Sequence, residues 1–298
     1  MSKIAYSKVP LTFEQQLKQL QERGLIIEDV SKAVHLLSQI SYYRLSAYWY
    51  PLLSDKANHI FKPNANLQAA FRLYCFDREL RKLVSSEIEK IEVSIRTQII
   101  YVLSHKHGPF WFVDSSIFKN KVRHKESLLK IDQEYKRSDE QFILAFKNKY
   151  INPYPPCWMT MEITSFGMLS QLYKNLLPGR EKREIAHHYG ISDSVLETLL
   201  HSIVYLRNVC AHHTRLWNRV MRIQPQFPRA PKNQWLNNPN VSNNRTYFIL
   251  SIIIYLLNVV NANHTFKNKF GMLLDKYPNV DLAAMGFPKD WKNEHLWN

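Results

Sequence analysis

Glycine is scarce in this sequence, since the 298 residues include only seven. Because glycine adopts a positive φ most easily, a chain this poor in it builds few tight hairpin turns and few phosphate-cradling loops. Hydrophobic residues make up 45% of the chain, a composition typical of folded and not of disordered proteins. The sequence therefore predicts an all-α fold.

Capping residues and apolar periodicity predict where the main helices lie. A capping box at Thr12 begins the first helix and Gly24 ends it. Apolar residues three to five positions apart predict a long helix over residues 66–104. The apolar run at residues 247–260 predicts a buried core helix. Further helices are expected at residues 29–41, at about 158–177, before Gly190, and from Ser194, capped by Asp193, to about Asn208.

The predicted organisation is an N-terminal helical segment over residues 1–65 followed by a helical domain over residues 66–298. A charged, mixed-sign segment at about 115–150 interrupts that domain, and we expect it to form a solvated helical arm, with RNA contact as the alternative. The proline-rich stretch NPYPPCW after it is incompatible with a helix interior.

The chain is strongly basic, with 40 Lys and Arg residues against 25 Asp and Glu residues and a net charge of +15. A surplus of this size favours a polyanionic partner such as RNA, although general solubility charge is the alternative. No acidic residue occurs between Glu197 and Asp275. This distribution favours RNA binding by that part of the chain.

One stretch of this acid-free region, LRNVCAHHTRLWNR at residues 206–219, has the side chains that metal-independent RNA cleavage needs. Histidine titrates near neutral pH and suits the base and acid steps, and arginine matches the charge and shape of a phosphate. Its cationic or titratable side chains are Arg207, His212, His213, Arg215 and Arg219.

Arg207 and His212 are five positions apart, which places them about 140° apart around a continuous helix. A helix end or distortion between them is needed before both reach one phosphate. Two copies related by a two-fold axis would supply two histidines and two arginines to one site. The sequence therefore predicts a homodimer with a composite site.

The motif RNVCAHH resembles the R-x4-6-H motif of HEPN-domain ribonucleases. Together with YYRLSAYWYPL, LYCFDRELRKLV, IEKIEVSIRTQI and WMTMEITSFGMLSQLY, it resembles the Abi family of bacterial abortive-infection proteins, of the AbiD and AbiF type. The resemblance implies a HEPN-type helical bundle with added N-terminal and inserted helices. It also implies a metal-independent endoribonuclease for phage defence or a toxin–antitoxin pair, regulated by a structured small noncoding RNA.

Carried onto this sequence, the motif assigns catalytic roles to Arg207, His212 and the polar Asn208. The pattern leaves open which of His212 and His213 acts. Candidate RNA contacts are His213, Arg215, Arg219, Arg222 and Arg44.

Three further side chains are candidates for supporting roles. Glu92 and Arg96 are four positions apart, which favours an ordinary surface ion pair over a site-orienting pair. Glu162 lies among apolar neighbours and either faces solvent or pairs with a cation. The aromatic residues around Arg44 offer stacking for bases, but a core cluster is the favoured interpretation.

Other function classes lack their motifs. The three cysteines are more than 50 residues apart and predict neither a disulfide framework nor a metal knuckle. The N-terminus lacks the apolar core of a signal peptide, and the 14-residue apolar run is short for a membrane span, so we expect a cytoplasmic protein that needs no cofactor or metal. The alternative function is a non-catalytic RNA-binding module in complex with a noncoding RNA.

Overall fold

The protein's computed structural model describes residues 5–298, and within this range it has twelve α-helices and one two-stranded sheet. The all-α prediction is confirmed. The HEPN-type arrangement stays a prediction, and residues 1–4 of the expected N-terminal segment lie outside the described residues. The chain divides into two compact units, and the expected boundary at residue 65 stays a prediction.

The first unit contains residues 5–80 and 273–280. It holds three short helices, a small antiparallel hairpin in which Leu53 pairs with Phe61, the start of a long helix and the end of the last one. Its core is built on fully buried leucines of these helices, such as Leu20, Leu37 and Leu45. Its elements are α1 (Phe13–Glu22), α2 (Val30–Ile40), α3 (Tyr42–Trp49), β1 (Leu53–Asp55) and β2 (Ile60–Phe61).

Local sequence signals position the first two helices as predicted. The Thr12 hydroxyl accepts a hydrogen bond from the backbone N–H of Gln15, and the Gln15 side chain accepts one from the Thr12 N–H, which completes the capping box. Gly24 follows the helix with a φ of +90°, and Asp29 caps α2. Both helix starts are thereby capped by residues of the same segment, without tertiary contacts.

The second unit contains residues 81–272 and 281–298. The α4 helix (Leu67–His107) contributes residues 67–80 to the first unit and 81–107 to the second. The α12 helix (Phe266–Lys276) contributes its residues up to 272 to the second unit. The other helices of the second unit are α5 (Lys121–Arg137), α6 (Gln141–Lys149), α7 (Cys157–Thr160), α8 (Phe166–Asn175), α9 (Arg180–His188), α10 (Asp193–Ala211) and α11 (Thr246–Val260).

The predicted core helix is confirmed as α11, in which every residue from Thr246 to Leu257 is buried. In the middle of this helix, the Ser251 hydroxyl accepts a hydrogen bond from the indole N–H of Trp297 at 3.0 Å. The last residues of the chain thus pack on the apolar helix.

The charged segment before the prolines forms α5 and α6, but it is not the solvated arm that the sequence predicts. Ile131 and Ile143 are fully buried, and the His124 ring stacks on Phe118 with centroids 4.3 Å apart. Asn175 at the end of α8 donates a side-chain hydrogen bond to the backbone of Asn120. The charged residues of both signs lie on the outer faces of these two helices, and the inner faces pack into the unit.

Two predicted helix boundaries need correction. The helix expected over residues 158–177 is broken by a turn at residues 161–164, where the Thr164 hydroxyl bonds the Met161 carbonyl. The helix expected to be capped by Asp193 begins one residue earlier, because Ser192 is the N-cap, and it extends to Ala211. Serine is as good an N-cap as aspartate, so the sequence alone does not choose between neighbours.

Candidate active site

The Arg–His motif lies in the last turn of α10 and in its C-cap. Val209 and Cys210 are each 4% exposed and anchor this turn in the core. Arg207, Asn208 and His212 are exposed on either side of them. The polar residues of the motif therefore face outward from a rigidly packed helix end.

The helix ends in a Schellman motif that is completed by a histidine. The N–H of His213 bonds the Cys210 carbonyl at 3.0 Å, and the N–H of Thr214 bonds the Val209 carbonyl at 3.1 Å. His213 has a φ of +55°, the left-handed position that glycine usually takes. This conformation costs a non-glycine residue about 1–2 kcal/mol, so the helix end stores strain beside the motif.

Arg207 and His212 project from different sides of α10. The helix is continuous from Arg207 to Ala211, and the backbone of His212 is still close to helical, with φ −85° and ψ 8°. The separation of about 140° is therefore kept. The helix was expected to end within the motif, but it ends only after Ala211, so its end does not bring the two side chains together in one chain.

Arg207 lines a cleft of about 380 Å³ between α4 and α10. The wall formed by α4 carries carboxylates, so the acid-free stretch of the sequence is not acid-free in space. The polar and motif residues that line this cleft are Ser85, Glu89, Glu92, Arg96, Arg207 and Ala211.

Glu92 and Arg96 form a largely buried pair and not the exposed surface pair that the sequence favours. Arg96 Nη2 lies 2.9 Å from Glu92 Oε1, and the side chains are 11% and 17% exposed, respectively. The same guanidinium donates to the Thr164 carbonyl and lies 3.8 Å from Glu162. Arg96 therefore joins the cleft wall to the turn before α8, while Glu162 itself remains exposed.

The predicted RNA contacts fall into several environments. Arg219 packs on the Tyr205 ring at 5.6 Å and donates a hydrogen bond to its hydroxyl at 3.0 Å. His213 and Arg215 also have partners within the chain, and Arg222 is exposed.

Arg44 belongs to the first unit, on α3, and is exposed. Its aromatic neighbours Tyr48 and Trp49 are 2% and 4% exposed, which confirms the core interpretation for these two rings. Tyr43 is 89% exposed and does not belong to that core.

A group of lysines at the other end of α10 was not predicted. Three ammonium groups surround the Glu197 carboxylate: Lys182 at 3.0 Å, and Lys119 and Lys174 at 3.9 Å each. We call Lys119, Lys174 and Lys182 the lysine cluster. The lysines come from three different segments, so no spacing in the sequence reveals them.

The lysine cluster also affects the next turn of α10. Partial burial, and then the charge of Lys174, lower the pKa of the His201 imidazole. His201 is therefore more readily neutral than an ordinary histidine.

Residues 215–232, here called the basic strap, return along α10 after its end. Arg219 contacts Tyr205, the N–H of Gln226 bonds the Thr198 hydroxyl at 3.0 Å, and the N–H of Lys232 bonds the Gly190 carbonyl at 2.8 Å. The strap therefore runs antiparallel to α10 over its whole length. It carries four cationic side chains besides Arg215 and no acid: Arg219, Arg222, Arg229 and Lys232.

Two kinds of feature are absent from the described part of the chain. Among residues 5–298, no three His, Cys, Asp or Glu side chains are grouped so that they could hold a metal ion. None of the described helices has the length and apolar character that crossing a membrane requires.

These features define a helical protein in which basic side chains from several segments lie around a helix that ends in an Arg–His motif. The family model described as Abi-like protein matches residues 35–218, from α2 to just beyond the motif. The match covers more than half of the chain, which belongs to this family and is a bacterial abortive-infection protein. No curated protein and no solved structure shows significant similarity to the chain.

Proposed function

We propose that the protein is a metal-independent endoribonuclease of phage defence, and that Arg207 and His212 act directly on the scissile phosphate. The observation that carries the proposal is the burial pattern of the last turn of α10. Val209 and Cys210 fix that turn in the core, while Arg207, Asn208 and His212 remain exposed. This arrangement leaves the polar side chains of the motif accessible to a phosphate on a fixed helix end, as the proposed role requires.

The proposed chemistry needs only groups of the protein. A neutral histidine removes the proton from the ribose 2′-hydroxyl, whose oxygen then attacks the adjacent phosphorus. A protonated histidine gives its proton to the departing 5′-oxygen. Arg207 stabilises the charge that develops on the phosphorane, since its guanidinium stays protonated and matches phosphate oxygens. The products are a 2′,3′-cyclic phosphate and a 5′-hydroxyl.

Two copies of the chain are part of this proposal. One histidine cannot be neutral and protonated in the same step, and within one chain Arg207 and His212 lie on different sides of α10. A two-fold axis beside the helix end would place the histidine of one protomer near the arginine of its partner. The active species is accordingly a homodimer.

The α4 wall of the cleft supports Arg207 in the proposed mechanism. Glu92 is held in place by Arg96, which the Thr164 carbonyl and Glu162 hold in turn. A fixed carboxylate in the same cleft as Arg207 orients the guanidinium before the phosphate arrives. Asn208 completes the motif as a hydrogen-bonding side chain next to the phosphate.

The family membership and the net charge of +15 support RNA as the partner. We propose further that a structured small noncoding RNA binds the protein and regulates its activity, as in a toxin–antitoxin pair. The test of this part is to identify any RNA that copurifies with the protein.

The nuclease itself is tested with end-labelled RNA in EDTA, after bound RNA has been removed. Wild type is expected to cut, and Arg207→Ala and His212→Ala are each expected to lower the cleavage rate by about 100-fold or more. Analysis of the product ends should show the cyclic phosphate.

The matched control is Arg222→Ala, which removes an exposed arginine of the basic strap outside the Arg–His motif. It should weaken binding modestly and leave the chemical step intact. Tight RNA binding without cleavage by any of the proteins would contradict the nuclease and favour the non-catalytic RNA-binding module. Cleavage by His212→Ala at the wild-type rate would contradict the assignment of His212.

A further inference from the structure

The exposed face of α10 is a continuous polar stripe that ends at His212. Its residues follow one another at spacings of three or four, so they lie within about 60° around the helix axis. His201, Asn208 and His212 are exposed on it, and Tyr205 is half-buried. Arg207 is not part of the stripe, because it faces the cleft with α4.

Positive charge borders this stripe on one side and at its far end. The basic strap runs beside it and fixes Arg219 against Tyr205. One turn before His201, the lysine cluster surrounds Glu197, where Lys119 and Lys174 are 41% and 46% exposed.

The carboxylates of Glu197 and of Asp193, one turn earlier on α10, are two acids against the three lysines of the lysine cluster. Lys182 is 5% exposed and forms the closest ion pair with Glu197, at 3.0 Å. Lys119 and Lys174 are only loosely paired at 3.9 Å and remain available to a phosphate. Between Glu197 and His212, α10 contains no other acid.

We propose that a single RNA strand lies along this face of α10, with its phosphates between the basic strap and the lysine cluster and its scissile phosphate at His212. This inference rests on the proposed function and names where the substrate binds. The distance from Glu197 to His212 is about 22 Å at 1.5 Å per residue, so the surface holds several nucleotides beyond the cleavage point. In the middle of the surface, the Tyr205 ring holds the Arg219 guanidinium beside the stripe, where it is placed to contact a phosphate.

A single strand fits better than a duplex because the stripe covers only one side of one helix. Lysine ammonium groups attract the phosphates of a flexible strand and do not distinguish one base from another. Binding to this surface is therefore expected to depend on salt and hardly on base identity.

The test uses the double variant Lys119→Gln/Lys174→Gln and a roughly 16-nucleotide RNA carrying 2′-O-methyl groups, which lacks the attacking hydroxyl. At about 0.7 counterions per lost phosphate contact, the slope of log K against log salt should fall by about 1.4, and affinity should fall about 25-fold at 0.1 M salt. Fluorescence anisotropy over a salt series measures both. Circular dichroism confirms that the variant is folded.

The control Lys289→Gln/Lys292→Gln removes the same charge from exposed lysines of the C-terminal segment. It should change the affinity and the salt slope far less. An equal loss in both variants, or no loss in the first, would overturn the binding surface while leaving the nuclease intact. If wild type neither binds nor cuts RNA, the proposed function fails together with this inference. Displacement of the RNA by an equally charged polyglutamate at equal concentration would instead identify a surface for acidic proteins.

Discussion

His213 holds a left-handed backbone at the position where Schellman motifs usually end in glycine. Histidine is one of the few residues with a side chain that reach this region with some frequency, but it is still strained there. The strained residue lies directly next to the proposed catalytic His212. A motif with two adjacent histidines thus gives them different backbone conformations and different tasks.

Replacing His213 separates its backbone role from its side chain. His213→Gly and His213→Ala both lose the imidazole, but only alanine keeps a Cβ in the left-handed region. We expect the glycine variant to be more stable than the alanine variant by about 1 kcal/mol, measured as the free energy of unfolding in urea.

Both variants should still cut RNA, because His212 is the acting histidine in the proposed mechanism. Equal stability of the two variants would show that φ at this position is not strained in solution. Loss of cleavage in both would move the catalytic role to His213.

At the scale of elements, the end of α12 closes the first unit through one carboxylate. Glu79 accepts hydrogen bonds from Lys276 at 2.8 Å and from the hydroxyl of Tyr277 at 2.7 Å. Partial burial alone would raise the pKa of Glu79, but these two hydrogen bonds hold it below its ordinary value. Burial, together with the bond to Glu79, raises the pKa of Tyr277 to about 12.

Because the pKa of Glu79 is lowered by folding, its stabilising effect is present above the unfolded pKa and is lost as pH falls through the folded value. Glu79→Gln should therefore lower the free energy of unfolding by about 0.5–1 kcal/mol at pH 7, a small effect for a partly exposed pair. The difference from wild type should shrink below about pH 4.

Urea unfolding at both pH values measures this difference. The control is Glu22→Gln, an exposed glutamate at the end of α1 in the same unit. A difference that persists at low pH would show that the Glu79 contacts stabilise the unit by packing and not by charge.

The elements that sequence predicts well are those encoded locally. Thr12 and Gln15 cap α1 by themselves, and α11 is buried because its whole circumference is apolar. The outward position of Arg207 and His212 follows from the same periodicity. The residues around them cannot be predicted from this periodicity, because Glu92 and Lys174 reach the two sides of α10 from other elements of the chain.

The turn at residues 161–164 and the small hairpin escape prediction for a related reason. Neither depends on glycine, so the glycine count that favours helices does not reveal them. The packed face of α5 is also hard to predict, because it consists of only a few buried positions such as Ile131 among many charged residues.

At the scale of the whole molecule, the proposed composite site predicts how activity depends on partner copies. Wild type mixed with a ninefold excess of His212→Ala should lose activity per wild-type chain by roughly tenfold, since most wild-type chains then pair with an inactive copy. Cleavage assays with RNA in excess, before and after subunit exchange, measure this loss.

The sample assayed before exchange is the control for competition by the inactive chain. Unchanged activity after exchange would show that each chain holds a complete site. It would then place the acid and the base of the reaction in a single protomer.

The composition of the first unit affects the order in which the newly made chain can fold. Residues 5–80 depend on residues 273–280 for closure, including the contacts of Lys276 and Tyr277 with Glu79. At about 5–20 residues per second, the ribosome needs roughly 10–40 s to make the chain between them. Residues 5–80 therefore wait for their closing segment while most of the second unit is translated, and a product of synthesis interrupted before residue 273 would leave the first unit open.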